Sequence, residues 1–149
     1  MEAVIFVGIQ GAGKSTFFKE NFFDSHIRIN LDMLRTKNRE KLILEACLEA
    51  KQKFVIDKTN LTREEREKYI VFAKSFGFKI IGYYFQTKLE KAVERNNRRD
   101  GKARIPDKGL FSSFKRLQIP KPEEGFDELF YVSINEENGF VVEDWKDEI

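Results

Sequence analysis

The sequence predicts an α/β fold, a doubly wound and mostly parallel sheet flanked by helices. Two observations carry this expectation. Strand and helix signals alternate along all 149 residues, with no repeat, low-complexity tract or linker rich in Pro, Gly or Ser. The first apolar run, Ala3-Val4-Ile5-Phe6-Val7, also passes directly into a glycine-rich segment that opens a helix, the way a parallel strand hands over to its crossover. At this length a single domain over residues 1–149 is expected, with 15 Phe to fill its core.

The elements follow in order. Residues 14–23 read as the first helix and Ile27-Arg28-Ile29-Asn30 as a short second strand. A brief helical turn at 32–35 leads into an amphipathic helix over 39–51, with Leu42, Ile43, Ala46, Cys47 and Ala50 on its apolar face. Phe54-Val55-Ile56-Asp57 is the third strand. Thr62-Arg63-Glu64-Glu65 and Thr87-Lys88-Leu89-Glu90 are capping boxes that start two further helices. Gly77 ends the first near Ser75, before a fourth strand over 78–85, and Asp100-Gly101 ends the second near Arg99. A basic loop, a helix over 107–117, the Pro120-Lys121-Pro122 loop and a core strand over 129–134 come next. A turn at 136–139 then leads to a terminal strand over 140–142, expected at the sheet edge.

Composition narrows the possibilities. Charged residues at 35% and hydrophobic ones at 41% describe a globular chain and argue against disorder. No apolar run approaches the roughly 20 residues of a membrane span, and the N-terminus shows no basic leader, so a cytoplasmic protein without membrane contact is expected. Cys47 is the only cysteine; it excludes an internal disulfide and reads as a buried helical residue. The net charge of +2 hides a segregation. Residues 86–121 hold eleven Lys or Arg against four Asp or Glu, and residues 122–149 hold one against ten. The basic stretch suits phosphates; two solvated faces would give the same pattern.

The glycine-rich segment is Gly8-Ile9-Gln10-Gly11-Ala12-Gly13-Lys14-Ser15-Thr16. It fills every fixed position of the phosphate-binding loop, between a strand and a helix as the mechanism requires. Glycines let successive N–H groups turn inward, and the following helix adds the positive end of its dipole. Gly8, Gly11, Ala12, Gly13, Lys14, Ser15 and Thr16 form the expected nucleotide-binding set. Lys14 would reach the terminal phosphates and Ser15 would hold Mg²⁺, with ATP as the default donor. The fold expectation thereby sharpens to a P-loop NTPase.

In such a sheet, residues just past the strand ends converge on the phosphates. Asp32 and Arg35, three apart on a helical turn, would supply a base for an alcohol acceptor and a cation for an anionic one. A helix-start carboxylate beside an exposed arginine is the alternative. Asp57 closes a buried strand where a carboxylate facing the metal is expected, or serves only as a turn residue; Thr59-Asn60 fits a turn equally well. Arg95 and Arg99 share a helix face in the run Arg95-Asn96-Asn97-Arg98-Arg99 and could clamp one triphosphate from an Arg-rich lid spanning about 95–117. His26, the only histidine, reads as a surface residue.

With these pieces in order, the chain resembles the kinase module of polynucleotide 5'-hydroxyl kinases, within the small P-loop kinases. The likeness runs from the first strand to about residue 134. Gly8 to Thr16 matches that family's nucleotide loop, and Asn30-Leu31-Asp32-Met33-Leu34-Arg35 its Asp-x-x-Arg element. Val55-Ile56-Asp57-Lys58-Thr59-Asn60, followed by Arg66 and Tyr69, resembles its Asp-x-Thr-Asn segment. Arg95 to Arg99 resembles its lid, and Pro122-Glu123-Glu124-Gly125-Phe126 its loop before the final strand. Lys58 departs from the pattern, standing where relatives often carry a smaller polar residue.

The resemblance implies ATP- and Mg²⁺-dependent transfer of a γ-phosphate to the 5'-hydroxyl end of RNA or DNA. Asp32 would be the general base, Arg35 would contact a phosphate of the acceptor strand, and Arg95 and Arg99 would clamp the donor. Two alternatives stand beside it. One is a kinase for a small metabolite or an aminoacylated transfer RNA; the other is a slow ATPase acting as a switch or binding module.

Overall fold

The computed structural model describes residues 1–86, 93–94, 97–98 and 107–146. Its strands form one six-stranded sheet in the order β2-β3-β1-β4-β5-β6. These are β1 (Glu2–Val7), β2 (Ile27–Ile29), β3 (Phe54–Ile56), β4 (Lys79–Phe85), β5 (Glu128–Ile134) and β6 (Phe140–Asp144). The first five run parallel and β6 runs antiparallel to β5 at the edge, as the terminal-strand reading anticipates. Helices α1 (Lys14–Asn21), α2 (Leu31–Leu34), α3 (Lys37–Ala50), α4 (Arg63–Ser75) and α5 (Asp107–Arg116) accompany the sheet, with a 3-10 turn at Pro122–Glu124.

β1 lies between β3 and β4 and is buried on both faces, which is why it reads as an unbroken apolar run. Val4 and Phe6 face an aromatic-rich core with Phe17, Phe22 and Phe85, while Ala3, Ile5 and Val7 face a second core under α3 and α4. The chain leaves β1 in both directions across the sheet, so the loop after it sits at the topological switch point where ligands bind in open α/β sheets.

Local chemistry accounts for most boundaries. Asn30, Thr36 and Thr62 accept the N–H groups of Met33, Arg39 and Glu65 at 2.9, 3.1 and 3.2 Å and so start α2, α3 and α4. The Thr62 box is altered: Glu65 accepts the N–H of Leu61 rather than that of Thr62. Gly77, at φ +80°, turns the chain out of α4. The Thr87–Glu90 capping box and most of the helix expected over 88–99 lie outside the described residues.

Two expectations are corrected. The buried face of α3 carries Glu40, Cys47 and Leu48, with Leu44 packed alongside, whereas Leu42 and Ile43 are exposed. The side chain of Glu40 is drawn inward by polar partners on two other elements, which rotates the helix away from its most apolar stripe. His26 is not a surface residue: its side chain is 5% exposed, with Nε2 3.0 Å from Glu2 and Nδ1 2.6 Å from the Ser25 hydroxyl. Phe22 packs edge-on against its ring. Burial lowers its pKa below the ordinary 6.5, against the opposing pull of Glu2.

Below pH 6.5 the unfolded chain therefore binds the His26 proton more readily than the folded one, and stability falls as pH is lowered. Thermal melts from pH 7.5 to about 5.5 should show a steeper loss for the wild type than for His26→Gln.

Candidate active site

The carboxyl ends of β1 and β3 are locked together before any functional group is placed. The Gly8 N–H donates to the Thr59 carbonyl at 3.0 Å, and Asn60 Nδ2 donates to the Phe6 carbonyl at 2.7 Å. The chain bends at Lys58, and Asn60 lies in the left-handed region at φ +46°. Buried Arg66 holds that bend from behind. Its Nη1 donates to the carbonyls of Asn60 and Leu61, and its Nε and Nη2 form a two-point pair with Glu124 at 2.8 and 3.0 Å. The loop before the last core strand is thus fastened to the end of β3.

The phosphate loop turns at Gly11 and Gly13, at φ +81° and +93°, and Gly13 starts α1 without a side-chain cap. That leaves the helix N-terminus in the form suited to an anion. Lys14 Nζ bends back to the carbonyls of Gly8 and Ile9 at 2.9 and 2.7 Å, bracing the loop. Gln10 Oε1, buried in the same wall, finds no hydrogen-bond partner among the described residues.

Around this loop lies a cleft of about 860 Å³ lined by Gln10, Gly11, Lys14–Thr16, Asp32, Arg35 and Asp57, among others. The structure therefore brings together most of the residues singled out from sequence. Asp32 lies on α2 and Arg35 just past its end. Their helical spacing is not what aligns them, because Arg35 sits at φ +77°, where the chain leaves the helix. A non-glycine residue held there carries backbone strain of about 1–3 kcal/mol, which surrounding structure must sustain. Arg95 and Arg99 lie outside the described residues. Arg98, from the same cluster, pairs with Glu94 at 2.5 Å.

Asp57 is 2% exposed and accepts the Ser15 hydroxyl at 3.2 Å. A hydroxyl and a carboxylate this close form a hard-oxygen pair of the kind Mg²⁺ uses alongside substrate phosphates, so the residues fit that ion. Among the described residues no three His, Cys, Asp or Glu converge on a point.

Sequence reasoning missed two participants. Arg28 donates to Asp57 Oδ2 at 2.8 Å and to the Ser15 hydroxyl at 2.9 Å. Asn30 donates to the Asp57 carbonyl at 2.8 Å while capping α2, so it ties the Asp32 helix to the Asp57 strand end. The alternation Ile27-Arg28-Ile29 was the available signal, since it turns Arg28 away from the face that buries Ile29. Lys58, the departure noted above, is neutralised by Glu40 at 3.2 Å and accepted by the Tyr69 hydroxyl at 2.8 Å. Tyr69 donates in turn to Glu40; burial, then the neighbouring carboxylate, pushes its phenol pKa up.

A parallel sheet, a switch-point glycine loop and a hydroxyl–carboxylate pair define a P-loop nucleotide-binding domain of the type found in kinases. The chain belongs to the AAA domain family, whose model it matches over residues 4–118. It is 35% identical over 133 residues to the bifunctional polynucleotide phosphatase/kinase of Schizosaccharomyces pombe. That similarity covers 84% of this chain, which spans about a third (32%) of the relative's length. Among solved structures, Chaetomium thermophilum Kti12 in complex with ADP-AlF3 aligns with a TM-score of 0.64 and 18% identity, covering 91% of this chain and 92% of that one. A sugar kinase from Janibacter sp. HTCC2649 aligns at 0.66 and 17%, covering 89% and 85%. No helix among the described residues is long and apolar enough to cross a membrane.

Replacing Arg66 by Leu strands buried Glu124 and frees the bend after β3. Urea unfolding should show a loss of about 3–5 kcal/mol, smaller when Glu124→Gln is added.

Proposed function

We propose that this protein transfers the γ-phosphate of ATP to the 5'-hydroxyl end of an RNA or DNA strand. The observation that carries the reading is the placement of Asp32 and Arg35 in the wall of the cleft that holds Gly11 and Lys14–Thr16. The likeness to a protein named as a polynucleotide phosphatase/kinase supports it. So does the strain at Arg35, which helix geometry alone does not call for.

In this reading Lys14 and the loop amides bind the donor phosphates, Lys14 exchanging its loop carbonyls for them. Asp32 takes the proton of the 5'-hydroxyl, whose oxygen attacks the γ-phosphorus as the bond to the bridging oxygen breaks and ADP leaves. Arg35 grips a phosphate of the acceptor strand, and Arg95 and Arg99 neutralise the donor from a lid over about 95–117. Mg²⁺, held by Ser15 beside Asp57, would supply charge neutralisation at the phosphates. Residues 1–149 act as one kinase unit, and a cytoplasmic setting accords with one buried, unpaired Cys47.

Labelled ATP offered with 5'-hydroxyl oligonucleotides, sugars and nucleosides tests the acceptor. Label is expected on the oligonucleotides, and transfer to the small molecules alone would overturn the proposal. Asp32→Asn should lower transfer by about 10²–10⁴-fold while ATP binding persists. Arg35→Gly should weaken oligonucleotide binding far more than ATP binding. Because glycine accepts φ +77°, that variant should melt no lower than the wild type.

A further inference from the structure

Among the described residues, Arg28 is a charged side chain that touches Ser15 of the loop and that the proposed transfer does not use. It is the middle residue of β2, the strand at one edge of the sheet, in register with Val55. Val55 belongs to the core on the α1 face, and Arg28 lies on that side too, its guanidinium carbon 6.0 Å from the centre of the Phe18 ring. From there Nε donates to Asp57 Oδ2 at 2.8 Å and Nη2 to the Ser15 hydroxyl at 2.9 Å, with the two oxygens 3.2 Å apart. One planar cation thus spans both atoms assigned to the metal.

We infer that Arg28 is a built-in counter-ion that competes with Mg²⁺ for Ser15 and Asp57, so that metal enters together with nucleotide phosphates and not before them. The inference rests on the proposed reading of Ser15 and Asp57 as the metal pair. A metal ion arriving alone must displace from the Ser15 and Asp57 oxygens a guanidinium held by charge-assisted hydrogen bonds, and leaves that guanidinium beside a dication. A metal ion carried on phosphates brings anionic oxygens that accept the displaced guanidinium, for which arginine's fork is well matched. Arg28 has a way out: its side chain is 27% exposed, and among the described residues no strand lies beyond β2. It acts here as a positioning residue, holding Ser15 and Asp57 in the metal-free state and turning to phosphate in the loaded one.

Binding of Mn²⁺ alone, followed by electron paramagnetic resonance on the full chain without nucleotide, tests this. Arg28→Gln should bind Mn²⁺ tighter than the wild type by about tenfold or more. Arg28→Lys, whose shorter side chain lacks the guanidinium's planar two-point fork, should also bind it tighter, by a smaller factor. Added ADP should narrow the difference between these proteins. Equal or weaker Mn²⁺ binding by Arg28→Gln overturns the competition, and Arg28→Lys decides in the same way should the glutamine variant fail to fold. Equal Mn²⁺ binding by the wild type and Asp57→Asn in the presence of ADP would instead overturn the assignment of the metal pair itself.

Discussion

The geometry of the site depends on one junction, where the ends of β1 and β3 are hydrogen-bonded to each other beyond their last paired residues. Through Gly8 to Thr59 and Asn60 to Phe6, the phosphate loop inherits the rigidity of two buried strands. Arg66 and Glu124 complete the junction from below. A fully buried guanidinium is tolerated there because its donors meet two carbonyls and both oxygens of a carboxylate. Polar groups so enclosed are costly to leave unpaired, and the junction has no inexpensive half-open form. The donor loop and the Asp57 end of β3 therefore behave as one body.

The two faces of the sheet support that body differently. On the α1 face the support is aromatic: Phe6, Phe17, Phe22, Tyr83 and Phe85 pack at ring separations of 5.0–6.0 Å. Phe140 reaches the same cluster from the edge strand β6, and its ring lies 3.0 Å from where a Cβ on Gly13 would be. Gly13 thus meets two demands at once, a left-handed backbone and a close aromatic neighbour. On the opposite face a polar contact joins the apolar core under α3 and α4, with Glu40, Lys58 and Tyr69 tying those helices to the end of β3. This polar contact explains why α3 buries a glutamate and exposes Leu42 and Ile43.

Much of the architecture was legible because it rests on local rules. The two-sided burial of β1 writes an uninterrupted apolar run, a side-chain cap writes Thr62, and the glycine loop has a spacing that few other structures require. Asp32, Arg35 and Asp57 could be placed near the loop because parallel strands end on one side. Arg28, Asn30 and the burial of His26 were not legible. Each depends on a partner between 24 and 29 positions away in the chain; the alternation around Arg28 marks its face and not that partner.

The amino-acid order by itself determined the alternation of strands and helices, the position of the phosphate loop and the residues available to it, because these follow from steric and capping preferences within a few neighbours. Only the tertiary structure decided which face of α3 is buried, that Arg35 leaves its helix in a strained conformation, and that a guanidinium spans the Ser15 and Asp57 oxygens. Those outcomes turn on charge neutralisation and packing between distant segments, where the free energy of a side chain is set by what the fold places opposite it.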